Sequence, residues 1–251
     1  MRKSNYMLEH LRMSLYDDNL IFKVCWRENK MTADNQAGKI QYNQLSNEIE
    51  KSYLFGVYLG DGCCFKSKSY GFCIVSGDKD VIEKTCFIVN KLFNKKGFLK
   101  EIIPNKTILY KYRVYGKSLF ECLTLQTNNK SKIPEFVTNS EKEIFSAFVA
   151  GLMDTDGYIS TGTNKFGWQR FSLGFINSGD WIDDFISLLR NFGVKVGKKT
   201  LKKKYRSINE KDCFQININL RSFVENGFYF NCRRKQNLLE KYKVNVRYQS
   251  Y

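Results

Sequence analysis

The sequence predicts an α+β fold made of two αββαββα halves related by a pseudo-twofold, each with an antiparallel sheet, and three features carry that expectation. First, Leu54-Phe55-Gly56-Val57-Tyr58-Leu59-Gly60-Asp61-Gly62 returns as Val149-Ala150-Gly151-Leu152-Met153-Asp154-Thr155-Asp156-Gly157, an offset of 95 (156 − 61). Second, Cys73–Asp78 is echoed by Phe175–Asp180 at an offset of 102 (178 − 76), and Lys117–Phe120 by Arg221–Val224 at 104 (222 − 118). Three echoes in one order, with a slowly growing offset, describe a tandem duplication with small insertions in copy two. Third, Phe214–Leu220 alternates apolar and amide residues without a break, as a strand with one packed and one wet face does.

The elements follow in order. Capping boxes at Asn47/Glu50 and Ser140/Glu143 predict the starts of the two motif helices. After each Asp-Gly come two strands, 63–68 with 71–76 and 158–163 with 170–176. Helices Lys79–Phe93 and Asp180–Phe192 follow, closed by Gly97 and Gly193. Strands near 98–103 and 107–115, then 194–203 and 212–219, lead to short helices from Ser118 and Arg221. The expected division is an N-terminal extension (1–45) without a counterpart in the repeat, a first half (46–133) and a second half (134–251).

Composition narrows the function. Among 251 residues, 41 Lys and Arg outnumber 25 Asp and Glu, a net charge of +16 that suits a polyanionic partner. Lys195, Lys198, Lys199, Lys202, Lys203, Lys204 and Arg206 form one basic run without an acid. Eight cysteines contain no C-x-x-C pair and His10 is the single histidine, which excludes zinc-ligand spacing and argues for reduced thiols. The longest apolar run, Ile144–Met153, is too short for a bilayer, so a soluble intracellular protein is expected, in cytoplasm, nucleoid or organelle matrix.

The duplicated helices carry the chemistry. Gly56 and Gly60 recur every four positions, as do Ala147, Gly151 and Thr155, and small residues on one helical face let two backbones approach closely. Helices packed this way bring Asp61 and Asp156 together at the dyad. Two close carboxylates repel each other, and a hard divalent cation turns that repulsion into attraction. Held there, it can polarise a phosphate and activate water. A lone Asp-Gly is more often a helix stop and turn; the paired, duplicated instance favours the metal.

Leu54–Gly62 and Val149–Gly157 resemble the two signature motifs of single-chain LAGLIDADG homing endonucleases, with Lys132-Ile133-Pro134-Glu135-Phe136 on the approach to the second; the likeness covers roughly residues 46–245. The resemblance implies two αββαββα halves whose sheets form a saddle over DNA, and Mg²⁺-dependent cleavage of both strands, with Mn²⁺ as a substitute. It makes Asp61 and Asp156 catalytic metal ligands, with the carbonyls of Gly60 and Thr155 as auxiliary ligands. It also places a basic catalytic residue after the last helix of each half: Lys130 or Lys132, and Arg234 by the 104 offset. Leu59 departs from the motif where copy two has Asp154, a position that does not bind metal. A loose match to the family's water-ordering position is offered by Ser76-Gly77 and Asn177-Ser178.

The expected partner is double-stranded DNA with a long asymmetric target, bound by a monomer without a membrane. The base readers are expected among outward strand residues Lys66, Lys68, Lys111, Arg113, Arg170, Ser172, Gln215, Asn217 and Asn219. Lys198, Lys199, Lys202 and Lys203 would grip phosphates. Two rival readings use the same scaffold: an intron maturase that binds intron RNA, and a DNA-binding regulator without chemistry. With Met1 at the start, Gln249-Ser250-Tyr251 at the end and no terminal His-Asn pair, a free-standing or intron-encoded protein is expected rather than an intein.

Overall fold

In a computed structural model, residues 33–163, 165–167, 169–202 and 212–248 are described. The chain divides into two compact units, Met1–Tyr42 and Asn43–Tyr251, and the second contains both repeat halves.

The first half runs α1 (Ala33–Leu59), β1 (Cys63–Lys66), β2 (Tyr70–Ser76), α2 (Lys79–Phe93), β3 (Phe98–Ile102), β4 (Leu109–Tyr115) and α3 (Lys117–Gln126). A short helix α4 (Glu135–Thr138) leads into the second half: α5 (Lys142–Thr155), β5 (Gly157–Thr163), β6 (Gln169–Asn177), α6 (Ile182–Asn191), β7 (Thr200–Leu201), β8 (Phe214–Ile218) and α7 (Leu220–Glu225). A final helix, α8 (Arg233–Tyr248), has no counterpart in the expected repeat. Leu238, Leu239 and Tyr242 give it an apolar stripe at helical spacing that packs on the core.

Each half builds one antiparallel four-stranded sheet with the same order, β1-β2-β4-β3 and β5-β6-β8-β7. The α+β expectation holds, and its alternation is physical. Phe72, Ile74, Tyr112 and Val114 in one sheet, and Leu173, Phe175, Ile216 and Ile218 in the other, are buried under the helices. The expected strand 194–203 reduces to Thr200–Leu201 and a bridge from Val196 to Ile218; Lys203, Lys204 and Arg206 lie outside the described residues, as do residues 1–32.

At three places the local structure differs from the expected boundaries. No helix starts at Asn47, because the proline-free stretch before it continues α1 from Ala33. In copy two, Ser140 Oγ donates to the Val137 carbonyl (2.8 Å), closing α4, and Glu141 stands at the start of α5. Finally, α2 stops at Asn94, in the left-handed region (φ 51°), before Gly97; Gly193 (φ 83°) does close α6 as expected.

The core is centred on α1 and α5. Tyr53, Leu54, Phe55, Val57, Tyr58 and Leu59 are buried in one, and the run Phe145 to Asp154 in the other. Glycine sets their separation. A Cβ on Gly56 would lie 2.2 Å from the Phe148 carbonyl oxygen and 2.7 Å from Leu152 N, and one on Gly151 would lie 2.2 Å from the Tyr53 carbonyl oxygen. Those neighbours are backbone atoms that cannot swing aside, so the two helices touch main chain to main chain. Ser52 Oγ, one turn earlier, donates to the Ile144 carbonyl at 2.7 Å.

A second contact between halves is ionic. Arg234, at the start of α8, makes a bidentate bond to Asp78, before α2 (both N···O distances 2.9 Å). The guanidinium holds the Asp78 carboxyl below its ordinary value. The folded carboxylate is therefore the more acidic one, so the pair stabilises above the unfolded pKa and that contribution vanishes as pH falls through the folded value. Because Arg234 is 61% exposed, Asp78→Asn is expected to cost no more than about 1 kcal/mol at pH 7, with the deficit closing in acid. Urea titrations of both proteins at neutral and acidic pH check this.

Candidate active site at the paired helix ends

The close packing of α1 and α5 decides where their C-terminal acids go. A Cβ on Gly60 would strike Thr155 Oγ1 at 2.0 Å and approach Asp156 Oδ2 at 3.2 Å. The carboxylate of the second motif thus lies against the helix end of the first. Glycine at 60 is required by that approach, and the glycines after each acid serve a similar end. A Cβ on Gly62 would meet Tyr58 Cα, and one on Gly157 the Met153 carbonyl, so each chain folds tightly back on its own helix.

Both acids are raised by burial, and Asp156 also feels the charge of Asp61. Burial pushes Asp156 up to about 7, and the charge of Asp61 adds to the rise; the hydrogen bond from Asn177 and the charges of Lys130 and Lys235 oppose it. Asp61 opens to solvent on one side, yet desolvation from its packed side outweighs the pull of Lys235 and Lys130 and raises it too. Asn177 Nδ2 donates to Asp156 Oδ2 at 2.5 Å, while Asn177 Oδ1 accepts from Gly179 N at 2.5 Å. In copy one, Ser76 Oγ accepts from Asp78 N (3.1 Å) in the corresponding turn. The strand registers match Ser76 to Asn177, so the Ser-Gly-Asp echo is one residue out of structural register.

Two lysines cap the helix ends. Lys130 Nζ donates to the carbonyls of Gly60 (2.8 Å) and Leu59 (3.4 Å). Lys235 Nζ donates to Met153 (2.8 Å), Asp154 (2.7 Å) and Gly157 (2.7 Å). Ammonium groups here satisfy orphan carbonyls and complement the helix dipole. Burial lowers the pKa of each; Asp156 is the largest opposing charge on Lys130, and Asp154 on Lys235. Lys130 is presented by a run of left-handed residues, Asn128, Asn129 and Lys130 (φ 46°, 52° and 70°), closed by Lys130 N bonding Thr127 Oγ1 at 3.1 Å. Three consecutive non-glycine residues at positive φ store strain that the surrounding structure must hold.

These placements revise several sequence expectations. Lys235 occupies the position expected for Arg234, whose side chain is engaged by Asp78; the true offset from Lys130 is 105 (235 − 130), one more than the echoes gave. Lys132 forms an exposed pair with Glu135 (3.0 Å). Asn219 is exposed on the outward parity of Gln215 and Asn217, and its Oδ1 caps α7 by accepting from Ser222 N at 2.9 Å. Lys66 shares the parity of inward-facing Cys64 and Phe72 and lies 5.3 Å from the Tyr70 ring centre. Lys199 pairs with Asp183 (2.5 Å). Lys68, Lys198 and Lys202 are exposed in connecting segments, while Lys111, Arg113, Arg170, Ser172, Gln215 and Asn217 share the outward parity of their sheets. Asp154 is buried and accepts from Tyr53 Oη (2.9 Å), Asn231 N (3.1 Å) and Cys232 N (3.0 Å), tying α1, α5 and the approach to α8 together.

The donor set suits a hard divalent cation. It offers two carboxylates at the ends of the two motif helices, each raised by burial, with the Asp156 carboxylate against Gly60. A second grouping of possible ligands, Asp78, Asp80 and Cys232, has both acids engaged: Asp78 by Arg234, and Asp80 by the backbone N–H groups of Val81 and Arg233. Among the described residues, no helix is long and apolar enough to cross a membrane.

No family model matches the chain. It is similar to a probable translation initiation factor IF-2 of Methanocaldococcus jannaschii (26% identical over 210 residues, covering 78% of this chain and 16% of that protein). An uncharacterized protein of the same organism is 25% identical over 239 residues, covering 87% of this chain and 79% of its own. A DNA polymerase of that organism is 28% identical over 220 residues, covering 80% and 13% respectively. The chain therefore spans less than a fifth of the first and third. Among solved structures, variants of the homing endonuclease I-DmoI superpose with a TM-score of 0.51 at 20% identity, covering 72% of this chain and 93% of theirs. I-DmoI in complex with DNA and Ca gives 0.51 at 19% identity (71% and 87%), and in complex with DNA and Mn 0.50 at 18% (71% and 94%). The fold of this chain is thus the one seen in the homing endonuclease I-DmoI.

Proposed function

We propose that this chain is a metal-dependent endonuclease that cuts both strands of duplex DNA at its pseudo-dyad, in the manner of a LAGLIDADG homing endonuclease. The observation that carries the reading is the seating of the Asp156 carboxylate against Gly60 of the other motif, which pairs two desolvated acids from duplicated helix ends. Asp61 and Asp156 would hold the cation, with the Gly60 and Thr155 carbonyls in reach. When bound, the divalent cation supplies neutralising charge for the phosphate and polarises the attacking water. Asn177 holds Asp156 in one orientation. Lys130 and Lys235 fix the carbonyls at both helix ends and bring positive charge to the place where phosphate charge develops. The +16 surplus and the outward cations Lys111, Arg113 and Arg170 suit a DNA backbone and its bases.

The relatives support a transferable module. A translation factor and a DNA polymerase share this segment as a sixth or less of their length, so neither named activity accounts for it. The test is to incubate the full chain and Mg²⁺ with a randomised duplex library and sequence the ends produced. Double-strand cuts at one long motif are expected. Intact DNA with both Mg²⁺ and Mn²⁺ overturns the reading.

A further inference from the structure

The repeat gives each outward sheet position a partner in the other half, and at two such positions the chemistry differs. Arg113 pairs with Cys73 on β2, and Asn217 with Gly174 on β6; Lys111 pairs with Val75, and Gln215 with Ile176. These registers make Arg113 equivalent to Asn217 (217 − 113 = 104) and Lys111 to Gln215 (215 − 111 = 104). One half therefore presents two cations where the other presents two amides.

Both sets are held for recognition. The Arg113 guanidinium lies 4.3 Å from the Phe65 ring centre and 5.2 Å from that of Tyr115, and its Nε is buried without a hydrogen-bond partner. Among the described residues it meets no acceptor. A planar donor fork braced by two aromatic rings matches a flat, two-acceptor edge. Across the dyad, Tyr158 Oη donates to Asn217 Oδ1 (3.1 Å) and accepts from Gln215 Nε2 (2.8 Å). The phenol fixes which side of the Asn217 amide is oxygen and leaves Nδ2 to donate, while Gln215 Nε2 makes a second, longer contact to the same oxygen (3.4 Å) that an incoming donor would replace. That pattern, one donor beside one acceptor, matches the major-groove edge of adenine, whereas the fork matches the O6 and N7 of guanine.

We propose that these equivalent positions give the target an arm-specific code: Arg113 reads a guanine in one arm, and Asn217, oriented by Tyr158, reads an adenine at the dyad-related position of the other. The inference rests on the DNA-cutting reading above. The test selects bound duplexes from a randomised library with the full chain and Ca²⁺, for the wild type, Arg113→Asn, Asn217→Arg and Tyr158→Phe. In the wild type, two positions equidistant from the centre should carry G·C in one arm and A·T in the other. Arg113→Asn should shift only the first toward A·T, and Asn217→Arg only the second toward G·C, each by roughly 5- to 150-fold in relative affinity. Tyr158→Phe should blunt the adenine preference alone. Uniform weakening on all sequences would make both residues phosphate contacts and overturn the proposal, as would the absence of any enriched sequence. Cleavage of the selected duplex with Mg²⁺ separates the two claims: cutting with unswapped specificity sinks only this one, and swapped binding without cutting sinks only the nuclease.

Discussion

Asp156→Asn is expected to lower double-strand cleavage by on the order of 10³-fold while duplex binding persists, since losing one carboxylate from a divalent site removes several kcal/mol of charge stabilisation. The substitution is nearly isosteric, and its amide oxygen can still accept from Asn177 Nδ2, which lies 2.5 Å from Asp156 Oδ2. It also removes an acid that burial, and then the charge of Asp61, hold above its ordinary value. Unliganded stability should therefore not fall, while the rise in Tm produced by Mg²⁺ should disappear. Asp61→Asn is expected to behave alike. A helix-stop role predicts the reverse, a loss of stability with cleavage untouched. Calorimetry with and without Mg²⁺, beside a cleavage assay on the selected target, tells the two apart. Wild-type cleavage by either variant would remove the metal assignment.

The second large effect is structural. Gly151→Val is expected to destabilise the fold by about 3 kcal/mol or more, because the new side chain would collide with the Tyr53 carbonyl 2.2 Å from its Cβ and with Val57 N at 3.0 Å. In a body of this size that is a fall in Tm of roughly 6–12 °C. The same collision pushes α1 from α5 and separates Asp61 from Asp156, so cleavage should fall in the fraction that still folds. Gly56→Val should act likewise, meeting the Phe148 carbonyl at 2.2 Å. Gly162→Ala is the control, having nothing within 4 Å of an added Cβ, and should change Tm little. Thermal melts of the three variants check the ranking. Equal melting points for Gly151→Val and Gly162→Ala would mean that the helices do not touch where the glycines place them.

How much of this was legible before folding depends on the range of each signal. Element order, strand alternation and the small-residue spacing of the motif helices are local patterns, and they were readable because a helix repeats every 3.6 residues and a strand every two. The duplication also showed that Asp61 and Asp156 are equivalent. Among Arg233, Arg234 and Lys235, however, position along the chain differs by one while direction around α8 differs by about 100°. Only the packed structure turned Lys235 to the α5 carbonyls and left Arg234 to Asp78. For Lys66, Lys132 and Lys199, residue type alone does not reveal the inward parity or the ion pair that the packed chain gives them.

By itself, then, the sequence determined two copies of one αββαββα unit, a basic surface and a pair of acids at matching helix ends. The tertiary structure decided that Gly56 against Phe148 and Gly151 against Tyr53 bring those helices into backbone contact, that Asp156 rests on Gly60, and which lysine serves each end. The physical reason is that side-chain periodicity fixes what each segment becomes. Contacts between residues some 95 positions apart depend instead on sterics and registers that emerge only when both halves are packed.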